Sequence, residues 1–215
     1  MNDMRVDKNI LRLRESASVF DAVSQRLFDL AVRLEENPEY NTFQALSSIN
    51  RLAEAATVSL RNQVGRFTVG EKEAFMDDTA NALKINIEEL DAWLKITLPG
   101  IVPHRNKRDN PAFLTRPMRH ALIQFQRQHP IERFSDCVIC IEHQYDEALG
   151  TARIHDYDNI ETKRYLDVIE SVFLTNDSGL LCSVLQTTKM GDRDATIFYV
   201  MPPWRLPEWA KKHIC

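Results

Sequence analysis

The chain has 215 residues, of which 44% are hydrophobic and 27% are charged, with 6 glycines and 9 prolines. This composition is that of a globular protein with one large or two small domains, and it excludes global disorder and a collagen-like repeat. The formal net charge of −4 argues against a chain that binds polyanions through its total charge.

The N-terminal sequence carries no pattern of an export signal. Charged residues begin at Asp3 and Arg5, and no apolar run approaches the roughly 18 residues that span a bilayer. The four cysteines are expected to stay reduced in a chain without such a signal. We therefore expect a cytoplasmic protein that makes no membrane contact.

Residues 1–36 carry the clearest periodicity. Apolar or small side chains recur there in steps of four and three, the a and d pattern of a heptad repeat on a helix: Val6, Ile10, Leu13, Ala17, Phe20, Ser24, Leu27, Ala31 and Leu34. Val23 and Leu30 widen this stripe, which indicates contact with more than one neighbour. Asn37-Pro38 ends the helix, and a second helix to about Val64 favours an antiparallel hairpin. A dimerisation coiled coil fits the heptads as well.

From about Leu83 the pattern changes to that of strands. Apolar alternation and β-rich runs predict strands at 83–87, 93–98, 137–141, 180–185 and 195–200. Helical spacing predicts helices at 116–128 and 159–173, and the tail 204–215 is expected to dock as a short helix. The fold class is therefore α+β: a helical hairpin over residues 1–80, then an α/β module over 83–203 with a small mixed sheet and two helices.

The most informative stretch runs from His155 to Lys163. In an extended backbone, residues i and i+2 share a face, so Asp156 and Asp158 can face one cation. Asp177 follows the next helix as a third carboxylate, and Mg²⁺ prefers such oxygen ligands. Lys163 can hold a phosphate near them. Each residue also has an ordinary explanation, because aspartate is common at helix N-caps and in turns.

Several segments in order resemble the RusA family of Holliday-junction resolvases over residues 94–202. The matching features are a strand and proline-rich segment, the D-x-D-N pattern, a lysine-bearing helix and an acidic turn: Ile96–Pro99, Pro103, Asn106, Asp156–Asn159, Lys163, Asp167, Asp177 and Lys189. The D-Y-D-N and W-L-K-I-x-L-P patterns also resemble an uncharacterised bacterial mobile-element family.

The RusA resemblance implies a Mg²⁺-dependent endonuclease, with Mn²⁺ as a substitute ion, that cleaves branched DNA as a homodimer. It implies Asp156, Asp158 and Asp177 as the metal ligands and Lys163 as a further catalytic residue. The family's lysine stands four residues after the second aspartate, where this chain has Thr162. A shift of one residue rotates a helical side chain by about 100°.

This departure and the added N-terminal helices leave a second interpretation open. The chain can instead be a catalytically inactive protein with the RusA-like fold that uses its N-terminal helices to bind a protein partner. Converging carboxylates favour the nuclease, whereas carboxylates that lie apart or pair locally favour the interaction protein.

The segment from 104 to 134 is locally basic, although the whole chain is acidic. DNA affinity depends mainly on Lys and Arg contacts to phosphates, and the segment corresponds to the DNA-facing part of the resolvases. The residues expected to contact DNA are Arg105, Asn106, Lys107, Arg108, Arg116 and Arg119. A solvated surface is the ordinary alternative.

The spacing Cys137-x-x-Cys140-x-x-His143 invites a zinc interpretation. Structural zinc sites place such pairs on turns and need a second pair of ligands. Here the cysteines lie in an apolar strand, where residues i and i+3 face opposite sides. We therefore expect no zinc site, and the apolar setting also disfavours a cysteine nucleophile.

Overall fold

The computed structural model describes residues 2–67, 72–103, 112–152, 154–176 and 178–214. The chain divides into two compact units. The helical unit comprises Met1–Ala74 and Lys107–Phe113, and the sheet unit comprises Phe75–Asn106 and Leu114–Cys215. In the described ranges, no helix combines the length and apolar character that crossing a membrane requires.

The helical unit is built on the antiparallel pair α1 (Asn2–Glu36) and α2 (Phe43–Phe67). Helix α1 ends just before Asn37-Pro38, as predicted, because the residue before a proline disfavours the helical conformation. Asn41 caps α2, since its Oδ1 accepts a hydrogen bond from the Phe43 backbone N–H at 3.1 Å. The connection is short, and the predicted helical hairpin forms.

The hairpin packs through a stripe that lies beside the predicted heptads. Ser16, Val23 and Leu30, spaced seven apart, are buried. Val23 and Leu30 form a core with Ile49 of α2, and Gln63 Nε2 donates to Ser16 Oγ at 2.9 Å. Val23 and Leu30 therefore lie on the stripe that α2 occupies, and a further neighbour of α1 stays a prediction.

The sheet unit contains a five-stranded mixed sheet in the order β1-β2-β5-β3-β4. The strands are β1 (Asn86–Leu90), β2 (Trp93–Pro99), β3 (Cys137–Asp146), β4 (Cys182–Gly191) and β5 (Ala195–Met201). Strands β3 and β4 are parallel, and the other neighbouring pairs are antiparallel. The remaining helices are α3 (Lys72–Ala82), α4 (Ala112–Gln128), α5 (Lys163–Phe173) and α6 (Leu206–His213).

Helices cover both faces of this sheet. Successive strand residues point to opposite faces, and on one face Tyr165 of α5 stacks on Phe198 of β5 with ring centroids 6.2 Å apart. On the other face, Trp209 of α6 meets Tyr199 edge to face at 5.6 Å. N-terminal helices followed along the chain by a mixed sheet with helices confirm the predicted α+β class.

Several element boundaries differ from the predictions. Helix α4 begins four residues before the predicted helix 116–128, and β3 and β4 extend five and six residues beyond the predicted strands 137–141 and 180–185. Strand β1 begins three residues later than the predicted strand 83–87, because the β1–β2 connection is the two-residue turn Asp91-Ala92, both with positive φ (42° and 75°). Helix α5 begins at Lys163 and not at Asn159, because a separate 3₁₀ turn occupies Tyr157–Asn159, and this difference bears directly on the predicted site.

Candidate functional site

Asp156 and Asp158 lie in one tight turn between β3 and α5. Asp156 is extended (φ −64°, ψ 142°), and Asp158 lies within the 3₁₀ turn, where the Asn159 N–H donates to the Asp156 carbonyl at 3.0 Å. The extended backbone predicted for both aspartates is therefore present only at the first. A 3₁₀ turn rotates about 120° per residue, so the two carboxylates do not share a strand face. Both residues are exposed.

Tyr157, between these aspartates, anchors the turn to the sheet. Its ring stacks on His143 of β3 with centroids 5.7 Å apart, and its hydroxyl bonds Thr188 Oγ1 of β4 at 3.0 Å. Ile160, just after the turn, is buried. These contacts fix the aspartates near the carboxyl end of the parallel pair β3–β4, the end at which open α/β sheets bind ligands.

His143 beneath this turn is fully buried. Its Nε2 bonds Gln186 Oε1 at 3.0 Å, and its Nδ1 has no partner among the described residues. Burial lowers the pKa of His143 below its usual value, because a charged ring loses its hydration there. The sequence suggested His143 only as a zinc ligand. It did not predict that His143 and Tyr157 support the turn. The alternation of β3, which puts His143 on the face of Ile139 and Ile141, was the available signal.

Lys163 forms a local ion pair. It is the first residue of α5, and its Nζ lies 3.3 Å from Asp167 Oδ1, one helical turn further along. Both side chains are largely exposed. Thr162, at the family's lysine position, is the N-cap residue of α5 and is buried. The ordinary explanation of Asp158 was that it caps this helix. That explanation does not hold, because Thr162 is the cap.

The third predicted ligand, Asp177, lies outside the described residues. Its described neighbours Asn176 and Ser178 precede β4: Ser178 N–H donates to Asn176 Oδ1 at 2.8 Å, and Cys182 N–H donates to the Ser178 carbonyl at 2.9 Å. Thr188, which anchors the Asp156–Asp158 turn, is six residues along β4 from Cys182, or about 20 Å. The described neighbours of Asp177 and the Asp156–Asp158 turn thus lie at opposite ends of one strand.

Metal-binding groups are also absent in the described part of the chain, where no three His, Cys, Asp or Glu side chains are grouped to hold an ion. Cys137 and Cys140 are buried in β3, three residues apart and so on opposite faces. Burial raises the pKa of each thiol to about 12, which keeps the nucleophilic thiolate from forming.

Of the predicted DNA-contacting residues, Arg105, Asn106, Lys107 and Arg108 lie outside the described residues. Arg116 and Arg119 are exposed on α4, three apart and thus on one side of the helix. Arg133 of the same basic segment donates to the carbonyls of Leu174 and Ser171 at 3.1 and 3.2 Å. The positive charge of Arg133 therefore stabilises the carbonyl groups at the C-terminal end of α5.

A second candidate surface is the predicted heptad stripe of α1. We call Ile10, Leu13, Ala17, Phe20, Ser24, Leu27 and Ala31 the seam; all seven are exposed. Leu27 is 46% exposed, and the neighbouring Phe28 is 67% exposed. Contiguous exposed apolar side chains of this kind mark interaction surfaces.

The fold defines an α+β protein with a helical hairpin, and the two candidate surfaces are the Asp156–Asp158 turn and the seam. The chain belongs to a family of unknown function, DUF6100, whose model matches residues 6–214. No curated protein matches the chain. Among solved structures, it is similar to the periplasmic domain of Helicobacter pylori MotB (residues 90–256), with 12% identity over 58% of this chain and 84% of that one. The TM-score of 0.31 is too low to support an argument.

Proposed function

We propose that this chain is a non-catalytic assembly protein that binds a helical partner through α1. The observation that carries the proposal is the exposed seam, which repeats with the heptad spacing of helix–helix contacts although α2 already occupies the neighbouring stripe. Leu13, Phe20 and Leu27 are 42%, 36% and 46% exposed, so a partner that covers them would recover part of the roughly 1.5–3 kcal/mol that full burial of such a side chain contributes.

The described residues of the aspartate region support the same proposal. Lys163 pairs with Asp167 on its own helix, and the described neighbours of Asp177 precede β4, at the end opposite to the Asp156–Asp158 turn. A lysine that pairs locally is what an inactive relative of a resolvase would have, because metal-assisted cleavage needs groups that converge on the phosphate.

Capture from an extract of the source cells tests this function. The full-length tagged chain is compared with a Phe20→Glu, Leu27→Glu double variant and with Phe43→Glu, which alters an exposed apolar residue of α2 outside the seam. We expect wild type and Phe43→Glu to recover a protein identified by mass spectrometry, including the untagged chain itself, that the double variant loses. Equal recovery by the double variant would contradict the proposal.

A second candidate function is the Mg²⁺-dependent endonuclease acting on branched DNA, with Mn²⁺ as a substitute. It is favoured by the exposure of Asp156 and Asp158 in one anchored turn at the carboxyl end of the parallel strands, where an ion can bind water and phosphate oxygens. Lys163 begins the next helix, and Arg116 and Arg119 offer charge to a phosphate backbone.

Cleavage of a labelled four-way junction separates the two candidates. Wild type is assayed with Mg²⁺ or Mn²⁺ beside Asp158→Asn and Asp136→Asn, which removes an exposed carboxylate at the amino end of β3. Nicking that drops by about 100-fold or more only in Asp158→Asn would establish the nuclease and overturn the first proposal. A folded protein that cuts in neither metal leaves the assembly function.

We also propose a cytoplasmic location. Cys137 and Cys140 of β3 are free of disulfides, and Cys182 of β4 is the register partner of Cys137. A cysteine that forms no disulfide with the cysteine beside it is expected where glutathione keeps thiols reduced. Labelling of Cys182 by a maleimide in freshly lysed source cells should succeed without prior reduction, and labelling only after reduction would place the chain in an oxidising compartment.

A further inference from the structure

The identity of the α1 partner follows from the arrangement of residues along the seam. From Leu13 to Ala31 the seam alternates large and small side chains: Leu13, Ala17, Phe20, Ser24, Leu27 and Ala31. The large residues occupy one heptad position and the small residues the other. The stripe that contacts α2, centred on Val23 and Leu30, is separate from these residues. A helix that packs on the seam must therefore place a small side chain against each large one and a large side chain against each small one.

We propose that this occupant is a second copy of α1 in antiparallel orientation, so that the chain forms a symmetric dimer through its seam. The inference rests on the proposed assembly function and names its partner. A two-fold axis near the middle of the seam places Phe20 opposite Ser24 of the other copy, Ala17 opposite Leu27, and Leu13 opposite Ala31. Each of these layers contains one large and one small side chain, which is how well-packed cores fill space, whereas the end layer pairs Ile10 with Leu34, both large.

A parallel pairing in register does not achieve this packing. Phe20 would face Phe20 and Leu27 would face Leu27, whereas Ala17 and Ser24 would face their own counterparts. Overfilled layers would alternate with layers that contain voids, and both conditions are destabilising. The alternation of side-chain size therefore selects the antiparallel arrangement.

The length of the seam is sufficient for a helical pair. From Ile10 to Ala31 it covers 22 residues, or about 33 Å of helix, which is three heptads. Three to four heptads are enough to specify a coiled coil. A C₂ contact of this kind uses the same patch on both copies, so a single surface accounts for both sides of the interface.

Sedimentation velocity of the purified full-length chain tests the dimer. We expect wild type and Phe43→Glu to sediment as dimers at micromolar concentration. The Phe20→Glu, Leu27→Glu double variant should be monomeric, with a dissociation constant raised by at least about 100-fold, because four buried apolar side chains are replaced by charges. Unchanged helix content by circular dichroism shows that the double variant folds. A monomeric wild type, or a dimer that survives both substitutions, overturns the inference.

Crosslinking then tests the orientation, in a chain that also carries Cys182→Ser and Cys215→Ser. A tagged Leu13→Cys variant and an untagged Ala31→Cys variant are mixed and oxidised. The antiparallel register expects mostly the mixed disulfide of tagged with untagged chain, whereas a parallel register would crosslink each variant to itself and contradict the proposal. If the purified chain is monomeric but the seam still captures another protein from extract, the inference fails and the proposed function stands.

Discussion

The central strands of the sheet and helix α1 differ in how completely each buries its apolar residues. Ile96 and Phe198 of the sheet are fully buried, whereas Leu27 of α1 is 46% exposed. Helices α5 and α6 pack on the two faces at the centre of the sheet, but α2 covers only one stripe of α1. The proposed assembly function accounts for this difference, because a partner on the seam would bury the side chains that α2 leaves exposed.

The largest expected effect is on the core at the centre of the sheet. Phe198→Ala removes a fully buried ring that stacks on Tyr165, and we expect it to lower the free energy of unfolding by about 3–5 kcal/mol. Urea denaturation followed by tryptophan fluorescence measures the change, since Trp93 and Trp209 lie in the sheet core. A loss below about 1 kcal/mol would show that the sheet core is less closed than described.

Within α1, two leucines three residues apart sharpen the comparison. Leu30→Ala removes a buried side chain that packs against Ile49 of α2, and we expect it to lower the free energy of unfolding of the hairpin by about 2–3 kcal/mol. Leu27→Ala alters the exposed seam and should change the stability of the monomer by less than about 0.5 kcal/mol. Both are measured by hydrogen exchange of α1 amides at concentrations low enough to keep the chain monomeric. Equal effects would mean that the seam is already packed within one chain.

The pH dependence of the sheet unit should report on His143. Burial holds its folded-state pKa below the usual value of 6.5, so the unfolded chain binds the proton more readily. The stability contributed by the neutral ring is therefore present above pH 6.5 and is lost as the pH falls below it, with a slope of at most about 1.4 kcal/mol per pH unit for one group. His143→Gln should flatten this part of the stability curve in urea titrations. A wild-type curve that is already flat there would contradict the assignment.

The smallest expected effect is at Lys163. Its ion pair with Asp167 is exposed, and such pairs contribute about 0.5 kcal/mol or less. Lys163→Ala should therefore leave both thermal stability and dimerisation nearly unchanged. A large loss of activity on branched DNA in this variant, with stability intact, would favour the endonuclease.

Local features of the fold could be predicted from the sequence, because they depend on short-range patterns. The heptads predicted α1, Asn37-Pro38 predicted its end, and the apolar run at 137–141 predicted the first half of β3. The position of β1 could not be predicted, since it depends on the tight turn Asp91-Ala92, in which alanine adopts a positive φ that its residue type disfavours.

The candidate site was less predictable, because it depends on contacts between segments far apart in the sequence. The D-x-D spacing suggested a shared face on extended backbone, but Asp158 lies in a 3₁₀ turn whose Tyr157 bonds Thr188 and stacks on His143. Likewise, no local pattern revealed that α2 would occupy the stripe of Ser16, Val23 and Leu30 and leave the heptad residues exposed.

Hydrogen exchange measured by mass spectrometry across a dilution series tests the central claim, that α1 binds a second copy of itself, most directly. We expect amides of residues 10–34 to gain protection as the protein concentration rises through the dimer transition, while amides of β3 and β5 stay equally protected throughout. The Phe20→Glu, Leu27→Glu double variant should show no such concentration dependence. Protection of α1 that is independent of concentration, and equal in the double variant, would contradict the account.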